Sequence, residues 1–95
     1  MARQSALIPV TYEIIFPDGS WYVGSTKRLG NRLASHWSAN ASPPMWAACQ
    51  RWGKGKVRII WVGEQYRAVE RSYYLAMLHC RGGQMTLNQK VPARY

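Results

Sequence analysis

A chain of 95 residues sets a bound of one domain, and a core this small leaves no room for a large enclosed cavity, so a shallow site for an extended substrate suits it. Thirteen Lys and Arg against four acids give a formal charge of +9, which attracts polyanions and points to nucleic acid. A hydrophobic fraction of 47% excludes a disordered chain, and no apolar run approaches the roughly 18 residues a membrane-spanning helix needs.

The first predicted element is a strand over residues 7–16, rich in β-branched and aromatic types, with its regular ladder starting near Val10 because Pro9 cannot donate. Pro17-Asp18-Gly19 is a turn, and Trp21-Tyr22-Val23 resumes extended structure, which makes a hairpin that the chain leaves through Gly24-Ser25-Thr26. From about Arg28 to Ala39 the period changes: Leu29, Arg32, Leu33, His36 and Trp37 recur at three and four residues, predicting a helix with apolar and reactive groups on one stripe. Ser42 before Pro43 reads as an N-cap with proline in first position, starting a short helix through Met45, Trp46, Cys49 and Trp52 that ends near Gly53. Lys54-Gly55-Lys56 turns into a strand over Val57–Val62. A longer helix runs from Gln65 to about Cys80, with Val69, Tyr73 and Met77 as its core stripe and Gly82-Gly83 as its stop. The tail, residues 84–95, is irregular, with Leu87 as its anchor. The order is β-β-α-α-β-α, an α+β domain with a three-stranded sheet and helices packed on it.

Nine of the thirteen basic residues are Arg, whose planar fork matches phosphate. Five Trp and six Tyr supply core area or base-stacking surfaces. Cys49 and Cys80 lack zinc-site spacing, and Met1–Gln4 with the short apolar stretch behind it does not read as a secretory leader. The expectation is reduced thiols in a cytoplasmic protein, bacterial or phage-encoded.

Several polar side chains stand where a core would take aliphatics: Tyr12 and Tyr22 on the two hairpin strands, Arg32 and His36 on one helix face, Glu70 on the last helix, and Asn88 in the tail. Hydrolysis of a phosphodiester needs an activated water, charge neutralisation on the phosphoryl oxygens and stabilisation of the leaving alkoxide. With four acids in the chain, one metal held by one carboxylate, waters and substrate oxygens is more economical than a two-metal site, and such a site prefers Mg²⁺ or Mn²⁺.

Val10-Thr11-Tyr12 followed after nine residues by Tyr22-Val23-Gly24 resembles the two half-motifs of the GIY-YIG nucleases. Lys27 to Leu33 and then His36 looks like that family's first helix, with its Arg at Arg32 and a His one turn on. Val69-Glu70-Arg71-Ser72-Tyr73-Tyr74 looks like its metal-binding helix, and Leu87-Asn88 like its closing pair. The resemblance covers about residues 10–88 of a single domain spanning 1–95. It departs at Val10 and Thr11, where the family usually has Gly and an aliphatic.

The resemblance implies a three-stranded antiparallel sheet flanked by helices and a metal-dependent DNA endonuclease, monomeric or weakly dimeric, with DNA and no membrane as partner. Glu70 becomes the metal ligand. Tyr12 becomes the general base, its phenolate stabilised by positive neighbours, and Tyr22 a hydrogen-bond donor to phosphate or water. Arg32 becomes the phosphate clamp, His36 a proton-relay or orienting group, and Asn88 a buttress of the site. Lys27 and Arg28 become flanking backbone contacts. Two other readings fit the composition: a non-catalytic basic nucleic-acid-binding module, which would not need Glu70 together with Tyr12, and a small phage or host inhibitory protein.

Overall fold

The computed structural model describes residues 7–92; Met1–Gln4 lies outside them. Strand β1 (Val10–Ile15) pairs antiparallel with β2 (Trp21–Thr26) through a turn in which Gly19 takes φ 92° and Ser20 N–H donates to Asp18 Oδ1 at 2.9 Å. β2 runs on through Gly24-Ser25-Thr26, three residues beyond the expected end of the strand, because β1 supplies ladder partners as far as Val10. Helices α1 (Leu29–His36) and α2 (Pro43–Trp52) follow, then β3 (Lys56–Val62) and α3 (Tyr66–Arg81). Ser42 occupies the N-cap of α2, yet its hydroxyl makes no cap bond. Gly82, at φ 78°, ends α3.

The sheet order is β2-β1-β3, antiparallel throughout, so β1 is central and β2 is an edge. A register shift between Thr11 and Tyr12 leaves Ile60 as the extra residue of a bulge. Strand alternation divides the core in two. Val10, Tyr12, Ile14 and Phe16 pack with Met45 and Ala48 of α2, and with Leu29 and Leu33 of α1 partly buried against them. On the other face Trp21 and Val23 pack with Tyr74 of α3. Thr11, in place of the family's aliphatic, is fully buried there and donates its hydroxyl to the Tyr66 carbonyl at 2.5 Å.

The α3 stripe differs from its reading. Tyr66 and Tyr74 are the buried pair, while Tyr73, Met77 and Val69 are only partly covered. Tyr66, Glu70 and Tyr74 are spaced at four residues, so the sheet-facing line carries Glu70 between two tyrosines. Glu13, fully buried on the same sheet face, holds the far end of α3: Arg81 Nη1 lies 2.6 Å and Arg58 Nη2 3.4 Å from its oxygens. Both cysteines are free thiols, and among the described residues no helix is long and apolar enough to cross a membrane.

Candidate active site at the edge of strand β2

Tyr12 is opposite Gly24 and Ile14 is opposite Tyr22, so the two tyrosines are diagonal neighbours on one sheet face, with ring centroids 6.2 Å apart. The last residue of α1 brings His36 onto them. Tyr12 Oη and His36 Nε2 are 2.7 Å apart, and the Tyr22 ring meets the imidazole edge-on at 4.8 Å. Gly24 is what permits this. A Cβ there would lie 2.5 Å from Tyr12 Oη and 2.8 Å from Tyr22 Cε2, so the phenol occupies the space a side chain would take.

Glu70 approaches from the opposite sheet face. Because β2 is an edge, the two sets of groups meet around its margin, where Ser25 Oγ donates to Glu70 Oε1 at 2.6 Å. Tyr22, Arg32, His36, Glu70 and Asn88 line one open cleft of about 500 Å³. Tyr12 sits beneath it, fully buried. Asn88 brackets the main chain of Val23: its Oδ1 accepts from Val23 N at 3.0 Å and its Nδ2 donates to Val23 O at 2.9 Å. Lys27 and Arg28 are exposed and line a different cavity, with Leu7, Ile8, Ile59 and Val62, so the structure does not bring them to the cleft.

The electrostatics sort the groups by role. Burial, reinforced by Tyr22, raises the Tyr12 phenol above the ordinary tyrosine range, and Arg32 only partly opposes it. Burial thus favours the protonated phenol in the free protein, whereas the expected role is a phenolate stabilised by positive neighbours. Burial, and then the charge of Arg32, lowers His36 to about 4. Its place in the last turn of a helix works the other way, but a macrodipole is worth only about 0.3–1 kcal/mol, so burial and Arg32 prevail and favour the neutral ring. Burial, with the charge of Glu70, raises Tyr22. Glu70 is itself raised by burial, although Ser25, Arg32 and Arg67 all act to lower it.

Among the described residues no group of three or more His, Cys, Asp or Glu side chains could hold a metal ion. Among the described residues, Glu70 is the one carboxylate lining the cleft. Hard cations such as Mg²⁺ are held through one or two carboxylates together with waters and substrate oxygens, and a carboxylate whose charge the protein under-compensates fits that mode.

Sequence reasoning missed Ser25, whose only signal is its place directly after Tyr22-Val23-Gly24. It also missed the cleft wall made by residues 89–92, which have no periodicity to read.

A comparison with protein families matches residues 8–73 to the GIY-YIG catalytic domain. The chain belongs to the GIY-YIG family, which is associated with nucleases. No curated protein and no solved structure gives a significant match.

Proposed function

We propose that the protein is a DNA endonuclease that hydrolyses phosphodiester bonds with one Mg²⁺ or Mn²⁺ ion. The observation that carries this reading is the convergence of Tyr22, Arg32, His36 and Glu70 on one cleft around the β2 edge, with Tyr12 bonded to His36 beneath them.

Arg32, exposed on α1, clamps the non-bridging phosphate oxygens and neutralises charge developing on them. In the tautomer that donates Nε2–H to Tyr12, neutral His36 offers Nδ1 to the proton of the attacking water. Tyr12, which keeps its own proton, steadies the imidazolium that forms. The phosphate's negative charge beside Arg32 opposes the two influences that depress His36 and makes it a better base in the complex. Tyr22, half-buried at the cleft wall, orients the water or a phosphate oxygen. Glu70 would hold the ion, with Ser25 fixing one of its oxygens. When bound, the ion supplies Lewis-acid polarisation of the phosphodiester.

That the described residues bring a single carboxylate to the cleft favours a second reading, a basic module that binds nucleic acid without cutting it. One experiment separates the two. Supercoiled plasmid and short oligonucleotides are incubated with the protein in Mg²⁺, in Mn²⁺ and in chelator. Nicking that needs the metal supports the nuclease, and binding without cleavage under every condition supports the module.

A further inference from the structure

We infer that residues 87–92 form the second wall of the nucleic-acid path, and that this wall fits an unpaired nucleotide, making single-stranded or frayed DNA the preferred substrate. The inference rests on the nuclease reading for its polymer and adds the form of the strand.

This segment follows the span that matches the family, residues 8–73. It is laid along the free edge of β2: Trp21 N donates to Met85 O at 3.0 Å, and Leu87 N to Trp21 O at 2.7 Å. Asn88 then brackets Val23, and at the far end Arg71 Nη1 donates to the Pro92 carbonyl at 2.9 Å, with Pro92 buried. The segment is thus tied to β2 at one end and to α3 at the other, and what lies between faces the cleft.

The chemistry of that wall decides the substrate. Val91, with the partly covered Leu87, presents apolar surface beside the groups that would hold the phosphate, and Lys90 adds a cation to the lining. Val91 is 47% exposed and so has apolar surface to cover. A duplex shows its phosphates and keeps its base faces stacked inside, so such a wall would find little to bury against it. An unpaired nucleotide presents a base face and a sugar together with its phosphate, and proteins hold these with apolar and aromatic surface beside basic groups. The cleft, about 500 Å³, is in the range of sites that take drug-sized molecules, about 300–1,000 Å³, and a nucleotide is of that size.

The test uses the full chain and two fluorescent DNAs of the same sequence, one single-stranded and one a closed hairpin duplex. Binding is read by anisotropy in chelator, and cleavage is read separately in Mn²⁺. The single strand is expected to bind at least tenfold tighter. Val91→Asn, which removes apolar surface without adding charge, should weaken single-strand binding about fivefold and duplex binding less than twofold. Arg71→Ala, which releases Pro92, should shrink the preference in the same direction. If that variant fails to fold, the exposed position 91 still decides the question. Equal binding of both DNAs, or equal loss for both in Val91→Asn, overturns the inference. Equal cleavage of both overturns it while leaving the nuclease reading in place. Selective single-strand binding with no metal-dependent cleavage supports the wall and removes the nuclease reading.

Discussion

Gly24→Ala tests the packing on which the site depends. Gly24 does not have a positive φ, so alanine meets no backbone strain there, and the cost is steric. The new Cβ would lie 2.5 Å from Tyr12 Oη, 2.7 Å from its Cζ and 2.8 Å from Tyr22 Cε2. Tyr12 is fully buried and has nowhere to go, and Tyr22 can yield only toward the cleft, away from its contact with the His36 ring. Overpacking costs about 1–3 kcal/mol, and drawing Tyr12 off His36 forfeits about 1 more. Alanine's smaller unfolded-state entropy returns about 0.4–1 kcal/mol. The net is a destabilisation of about 2 kcal/mol, a fall in Tm of about 8–16 °C for a domain of this size. Urea and thermal unfolding measure it. Repeating the substitution in a Tyr12→Phe background, where the Oη contact is gone, should reduce the penalty and expose a coupling of about 1 kcal/mol. Stability within about 0.5 kcal/mol of wild type, with the Tyr12–His36 bond intact by NMR, would refute the argument.

Three further outcomes follow from the same geometry. Burial and then Arg32 hold His36 at about 4 in the folded chain against 6.5 unfolded, so its contribution, about 1–2 kcal/mol after solvent screening, is present above pH 6.5 and lost as pH falls toward 4. Glu70, raised by burial, titrates in the opposite sense, so the difference between wild type and His36→Gln in urea midpoints at pH 7 and 4.5 isolates the histidine. Asn88→Ala strips the Val23 N–H and C=O of their partners and should cost about 1–3 kcal/mol, with faster hydrogen exchange at the Val23 amide. Glu13→Ala leaves Arg81 unpaired, but because that side chain is 30% exposed the loss should fall below the 3–5 kcal/mol of a fully buried pair, at about 2 kcal/mol by urea unfolding.

The element order and the sheet were legible because periodicity and turn residues are local signals, while Tyr22, Arg32, His36 and Glu70 were singled out together through the resemblance to the GIY-YIG motifs. The spacing of Arg32 and His36 placed both on one helix face, and Pro17-Asp18-Gly19 placed both tyrosines on one hairpin. What the sequence concealed depends on tertiary contact. The predicted α3 stripe flanks the buried line: Tyr73 and Met77 pack against the Trp21–Val23–Tyr74 cluster, while the line that faces the sheet carries Glu70, which apolar periodicity does not mark. Tyr12's proton depends on burial beneath Tyr22 and His36, which charge counting does not reveal. Lys27 and Arg28 follow β2 so closely that proximity to the cleft is the natural expectation, yet they line the cavity beside Ile59 and Val62. Glu13's part in anchoring α3 joins residues 68 positions apart.

Cleavage by Glu70→Gln tests the central claim most directly. The substitution keeps the side chain's shape and a partner for Ser25 while removing the only carboxylate charge that the described residues bring to the cleft. Wild-type and variant protein are compared in Mg²⁺ and in Mn²⁺ on the best substrate found, with thermal unfolding and DNA binding in chelator measured alongside. The account predicts an unchanged fold, binding equal to or tighter than wild type because a negative charge has gone, and no detectable turnover. A Glu70→Gln protein that cuts DNA at the wild-type rate would contradict it.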